Sequence, residues 1–453
     1  MIEADTARAQ TTARARTIGD ETATVAGPTL IIVGGMHANE PAGIEAARRV
    51  HDRLAAMDSG LRKGRLVSLR GNLRALHAQA PTPWLRARYI DEDLNRAFLG
   101  ERATSLHAAA EQQERAELSS ELADAVSHAS GDAFLLDLHT VSSESPAFIA
   151  VEDSLPARRF AASIPLPKVL GLEEELAGLM MDYTTNTLGC VSCIVEAGRH
   201  DDPRAVDVHE AVILHALDIL GMIASPLHTS TGERPWDVIA QASGGRQQHF
   251  YDIRQRVAIG GLPFNMQPGA LAFMPVSAQQ TVLASEQGES IVAGANGLLF
   301  LPNRQREPRI GDDAFFVIAR VGSGWLWLSA RLRQWRGVHA LLPRLLPGVR
   351  QRSSDPHAIV VAPEYAAVLR REFLHLLGYR LVRWTHPPYM PILKRLGRAA
   401  VGIGRSLVGM VRFAPRGGEH AALPQERETD WIARRRTLDV AVRPRKSNGD
   451  ASP

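Results

Sequence analysis

Cysteine is nearly absent: Cys190 and Cys193 are the only two in 453 residues. A disulfide framework is thereby excluded, and a reducing cytoplasm is the expected setting. No uninterrupted apolar run is long enough to cross a bilayer. The opening stretch, residues 1–27, lacks the apolar core of a secretory signal. Its Thr, Ala and Arg bias predicts a poorly ordered tail. Hydrophobic residues make up 45% and charged residues 22%. Those proportions fit an ordinary globular protein, and the length fits two or three domains with buried cores.

A net charge of +3 conceals an asymmetry. Residues 331–453 hold 23 Lys and Arg against 9 Asp and Glu, a balance of +14, whereas residues 1–330 hold 29 against 40, a balance of −11. The basic end could attract an acidic partner or an anionic surface. It reads first, however, as a solvated helical surface.

Apolar runs alternate with helical patterns through residue 221. The runs Thr29–Val33, Gly64–Leu69, Phe134–Leu138 and Ser192–Val195 read as strands. Residues 41–57, 105–129 and 205–220 read as helices, the first opened by Pro41. This alternation predicts an α/β layer fold. From about Gln248 to Val321, short apolar stretches broken by Gly and Pro predict a smaller β-rich second domain. Beyond Gly324 the pattern is helical and basic, with Ala362–Trp384 and Tyr389–Val411 as the main candidates. The expected domains are therefore a tail (1–27), an α/β catalytic domain (28–225), a β-rich domain (226–324), a helical basic extension (325–415) and a loosely ordered tail (416–453).

Four short segments carry chemistry. In GGMHANE, two glycines end a strand and permit a sharp turn, and His37 and Glu40 stand three apart. Nitrogen and carboxylate donors suit zinc, although a lone pair at this spacing is also common on helix surfaces. In FLLDLHT, His139 ends an apolar strand, where ligands collect in open α/β sheets. With His37 and Glu40 it would complete a three-ligand set with one position open; taken singly, it reads as a packed histidine. Asp137, two residues earlier on the strand, shares its face and could orient it.

RYIDEDLNR, residues 88–96, crowds acids and arginines between apolar residues that suggest an anchored loop. Arg96 with Asn95 could bind a carboxylate, since guanidinium matches it bidentately. In IVEAGRH, Glu196 ends a strand and could activate a water beside a metal; strand-terminal glutamates also simply cap or pair. The Cys190-x-x-Cys193 pair has no second half, so the cysteines read as small buried core residues. His200 follows Glu196 closely enough to reach the same strand end.

Taken in order, these segments resemble the succinylglutamate desuccinylase and aspartoacylase family, a branch of the zinc carboxypeptidase superfamily. GGMHANE is similar to its G-G-x-H-G-N-E metal motif, with Ala38 where glycine is usual. RYIDEDLNR resembles its substrate motif, DLHT the third-ligand segment and VEAG the catalytic-glutamate segment. The likeness covers roughly residues 29–221. It implies a zinc-carboxypeptidase-like mixed sheet flanked by helices, with one zinc ion per chain on His37, Glu40 and His139. It implies Arg88 as the group polarising the scissile carbonyl, Asn95 and Arg96 as the carboxylate grip, and Glu196 as general base and then proton donor. The implied activity is hydrolysis of the amide of an N-acyl amino acid or related small carboxylate. A carboxypeptidase acting on a peptide or cell-wall fragment would use the same site, and a non-catalytic binder working through the basic end belongs to a different class. Aspartate-selective members of the family carry an arginine ten residues before the catalytic glutamate. Asn186 stands at that position here, which implies a substrate other than N-acetylaspartate. No nucleic-acid partner is expected.

Overall fold

The computed structural model describes residues 16–57, 60–78, 80, 82–98, 109–335, 337, 349–352, 355–361, 371–383 and 431–435. The chain divides into two compact units, Met1–Val321 and Gly322–Pro453.

The first unit is built on an 11-stranded mixed sheet. Its strands are β1 (Thr17–Thr22), β2 (Thr29–Gly34), β3 (Arg65–Arg70), β4 (Ala133–Val141), β5 (Phe148–Val151), β6 (Lys168–Leu170) and β7 (Val191–Arg199). β8 (Phe250–Ala258), β10 (Pro275–Val276), β13 (Gly297–Phe300) and β14 (Asp313–Val321) complete it. The spatial order is β1-β3-β2-β4-β7-β5-β6-β8-β14-β13-β10. At its centre β3, β2, β4 and β7 run parallel. Strands covered on both faces are apolar almost throughout, as TLIIV and the run from Leu135 to Leu138 are. One consequence is functional: the C-terminal ends of β2, β4 and β7 lie side by side, with His139 paired to Glu196 and Gly34 to Leu138.

Helix Ala42–Ala55 follows β2 directly. Ala46, Ala47, Val50 and Leu54 form its buried stripe, and Arg49 crosses to Asp207 of helix Arg204–Ile219 at 3.0 Å. A Cβ on Gly34 would stand 2.7 Å from the Ile44 nitrogen, so only glycine lets this helix start so close to the strand. Gly35, at φ +73°, makes the turn that a side chain would strain. On the other sheet face, helix Ala109–Ser127 packs Leu118, Leu122 and Ala125 onto Ile31, Val33 and Leu135.

Several expectations need correction. Residues 1–15 lie outside the described residues, but Thr17–Thr22 is an edge strand rather than part of a loose tail; it pairs antiparallel with β3. Arg16 is buried against Glu114 at 2.6 Å and the Gly71 carbonyl. The break expected near residue 225 is not a break in the sheet, because β6 pairs with β8 and carries it on into β14, β13 and β10. The β-rich segment thus extends the catalytic sheet and adds a small three-stranded sheet of β9 (Phe264–Met266), β11 (Val282–Glu286) and β12 (Glu289–Val292).

In the second unit, Ser323–Gln334 is helical, as expected. Ala362–Trp384 is not one helix among its described residues. Arg371–Leu376 is helical, Gly378 turns at φ +80°, and Tyr379–Arg383 is a strand. That strand joins a four-stranded sheet with Val349–Arg352, Asp355–Val361 and Trp431–Arg435, the last from the stretch expected to be loosely ordered. Tyr389–Val411 lies outside the described residues. Among the described residues, no helix is long and apolar enough to cross a membrane.

Candidate metal centre and its cleft

His37 sits in the turn after β2, Glu40 one turn on, and His139 at the end of β4. The three side chains are buried, and their donor atoms all lie within 4.8 Å of one another. His139 Nδ1 is 3.2 Å from His37 Nδ1 and 2.9 Å from Glu40 Oε2, while His37 Nδ1 is 2.9 Å from Glu40 Oε1. Two imidazole lone pairs cannot bond to each other, so their convergence needs a proton or a cation between them. Tetrahedral zinc with bonds of about 2.0–2.1 Å has ligand–ligand edges of roughly 3.3 Å, which this triangle approaches. The residues present therefore fit a zinc ion.

Each histidine turns its other nitrogen to a carboxylate. His139 Nε2 faces Asp137 Oδ2 at 2.9 Å, and His37 Nε2 faces Asp93 Oδ1 at 3.0 Å. Nε2–H donation there leaves both Nδ1 atoms free as ligands. Burial opposes charge on Glu40, Asp93 and His139, yet the neighbours win. His37 and His139 hold the Glu40 carboxyl well below its usual range. Arg88 and His37 do the same for Asp93. Asp137 and Glu40 raise His139 well above an ordinary imidazole.

Arg88 donates to Glu40 Oε1 at 3.0 Å and to Asp93 Oδ2 at 3.2 Å. Its own backbone carbonyl accepts the Ala38 N–H at 3.0 Å, tying the two segments together. Ala38 is buried and outside the left-handed backbone region, so the side chain in place of the family's glycine is accommodated. Opposite His139, Glu196 Oε2 is buried without a hydrogen-bond partner among the described residues. Burial pushes its carboxyl well above the usual range; a cation nearby would act in the opposite sense. His200 donates or accepts at Thr140 Oγ1, 2.8 Å away, and burial lowers it to about 4, so it is neutral near pH 7.

The cleft above these groups has a volume of about 120 Å³. Its polar floor is His37, Glu40, His139, Arg88 and Glu196, and Leu176, Ile194 and Phe316 supply apolar walls. Asn95 also lines the cleft, although it is almost wholly buried. Its oxygen accepts the Met180 N–H at 2.8 Å, and its Nδ2 donates to Asp137 Oδ2 at 3.5 Å. Arg96 lines the cleft, with one guanidinium nitrogen on the Asn95 carbonyl and the other 3.3 Å from Asp313 Oδ2. Asn186 is not among the lining residues; its amide folds back onto the Asp182 carboxylate at 2.6 Å. Cys190 and Cys193 are fully buried free thiols, and burial pushes Cys190 up to about 12.

Three contributors escaped the sequence reading. Asp93 was one of three acids in its segment, with nothing to mark it as the inward one. Glu111 is completely buried and accepts the N–H groups of Ile90 and Asp91, at 2.8 and 2.9 Å, anchoring the loop that carries Arg88 and Asp93. Asp313 comes from β14, 217 residues after Arg96.

Residues 26–220 match the family model described as the succinylglutamate desuccinylase/aspartoacylase catalytic domain. Among solved structures, the chain is similar to succinylglutamate desuccinylase from Vibrio parahaemolyticus, with 14% identity and a TM-score of 0.46 over 67% of this chain and 84% of that one. The corresponding enzyme from Vibrio cholerae gives 16% identity and a TM-score of 0.47 over 66% and 83%. The ectoine utilization protein EutE (DoeB) from Ruegeria pomeroyi gives 19% and 0.44 over 65% and 86%. No protein of curated function matches the chain in sequence.

Proposed function

Because residues 26–220 belong to the succinylglutamate desuccinylase/aspartoacylase family, we propose that this protein is a zinc-dependent deacylase that hydrolyses the amide bond of a small N-acyl amino acid or related carboxylate. The observation that carries the reading is the convergence of His37, Glu40 and His139 beside Glu196, whose buried Oε2 has no hydrogen-bond partner among the described residues. These three residues would hold one zinc ion per chain. Zinc bound there would lower the pKa of a water toward ~7 and polarise an amide carbonyl.

The remaining steps belong to the chain's own side chains. Glu196 takes a proton from the attacking water and returns it to the leaving amine, which its buried, otherwise unbonded oxygen is placed to do. Arg88, fixed by Glu40 and Asp93, offers positive charge where the carbonyl oxygen becomes negative. Asp137 and Asp93 hold the two imidazoles in the tautomer that presents Nδ1. Arg96 is the candidate grip for a substrate carboxylate, which would have to share the guanidinium with Asp313. Asn95 donates to the Asp137 carboxylate that faces His139, and so acts as a positioning residue. The products are a carboxylate and a free amine.

Elemental analysis tests the metal. The purified protein should hold about one zinc per chain, and His37→Ala and His139→Ala should each lose it. Unchanged zinc in both variants would sink the assignment. A hydrolysis screen of N-acyl amino acids with zinc-loaded protein tests the activity.

A further inference from the structure

Further along β14 than Asp313 and Phe316, which line the metal cleft, a second concavity of about 600 Å³ opens beside the turn that precedes β8. Its walls follow from strand register. Tyr251 pairs with Arg320, and Ile318 with both Ile253 and Leu298, so His249, Tyr251, Ile318, Arg320 and Leu298 face the same side of the sheet. Gly244 and Gly245, at φ +59° and +77°, turn the chain so that Arg246 enters the same groove.

Arg246 is held in place. Its guanidinium lies 5.3 Å from the centre of the Phe273 ring, and one nitrogen donates to the Gly244 carbonyl at 2.7 Å. His249 Nδ1 lies 3.2 Å from the Tyr251 hydroxyl. Lys168 is fully buried beneath the turn, its ammonium donating to the Gln247 carbonyl at 2.6 Å.

The charge here is one-sided. Among the described residues, no carboxylate pairs with Arg246, Arg320 or Lys168. Burial lowers Lys168 to about 8. His249 is lowered by burial and then by Arg320, Arg246 and Lys168 together, with no acidic group acting in the other direction. Several other buried or half-buried cations of this unit pair with acids, as Arg16, Arg49, Arg88, Arg96 and Arg158 do, whereas Arg53 and Arg304 meet backbone carbonyls. A fixed guanidinium, a second guanidinium, an imidazole and a tyrosine hydroxyl around a groove supply donors with no internal acceptor of matching charge.

We propose that the groove lined by Arg246, His249, Tyr251 and Arg320 is a binding site for a small oxyanion ligand, a metabolite bearing a phosphate or carboxylate group. The anion would lie between the two guanidinium groups and accept from His249. The site is separate from the metal centre, and it stands whether or not the hydrolase reading holds.

The test reads His249 itself. In protein labelled with ¹³C-histidine, the His249 signal is assigned by its loss in His249→Gln, and its titration is followed in sodium chloride, sodium phosphate and sodium citrate at equal ionic strength. An anion between Arg246 and Arg320 should raise the His249 midpoint by about one pH unit over the chloride value. A rise with phosphate alone assigns the phosphate class; a rise with citrate assigns carboxylates. In Arg246→Ala/Arg320→Ala the rise should vanish while zinc content is kept, and Arg320→Gln alone serves if the double variant does not fold. No rise over chloride with either anion, or an undiminished rise in the folded variant, would overturn the proposal.

Discussion

Asp93→Asn separates a residue that orients the metal centre from one that merely fills the loop. The aspartate carboxylate does three things. One oxygen accepts from His37 Nε2 at 3.0 Å and from the Asn95 N–H at 2.8 Å. The other pairs with Arg88 at 3.2 Å. Asparagine keeps the shape and can keep its oxygen toward His37 and Asn95. Its NH₂ then meets Arg88, donor against donor, and the negative charge that supports His37 is gone. A hydrogen bond to a charged group contributes about 1.5–3 kcal/mol, or roughly 10- to 150-fold in an equilibrium constant. Loss of a carboxylate behind a histidine ligand typically costs ~10–100-fold in metal affinity. Zinc affinity, read by competition with a chromophoric chelator, should therefore fall about 10- to 100-fold while far-ultraviolet circular dichroism stays unchanged. Arg88 also loses one of its two tethers, so kcat should fall at saturating zinc. Parent-like zinc affinity, within about twofold, in a folded Asp93→Asn protein would refute the orienting role.

The other expectations follow from the same geometry. Glu196→Gln should retain zinc and lose ~10²–10⁴-fold in kcat, measured on any good substrate from the screen; turnover at the parent rate would remove Glu196 as the base. N-acetylaspartate should be a poorer substrate by kcat/KM than N-acyl derivatives of neutral amino acids, because the two arginines lining the cleft, Arg88 and Arg96, are both already paired with carboxylates. A clear preference for N-acetylaspartate would show that a further cation reaches the substrate. Cys190 and Cys193 should resist iodoacetamide at pH 8 in the folded protein and react fully in denaturant, since both are buried and burial raises both thiols; rapid native labelling would contradict that packing.

What the sequence determined was mostly local. The parallel core of the sheet was readable because strands covered on both faces must be apolar almost throughout, as Leu30–Val33 is and as Leu135–Leu138 is apart from Asp137. The turn carrying His37 was readable because Gly34 and Gly35 answer backbone requirements no other residue meets. Asp137 and His139 shared a face by strand alternation alone, and the structure puts them 2.9 Å apart. Continuity of the sheet past residue 225 was not readable, because Gly- and Pro-punctuated strands look alike whether they form their own sheet or extend another; hydrogen bonding between β6 and β8 decides it. The order in Thr17–Thr22 was also hidden, since an edge strand needs no apolar signature and gains its partner only when β3 is in place. Tertiary structure alone selected Asp93 from three neighbouring acids, set Glu111 under the Arg88 loop and brought Asp313 to Arg96. Side-chain direction in an irregular loop, and meetings between residues 217 apart, depend on where the whole chain packs, and no local pattern encodes them.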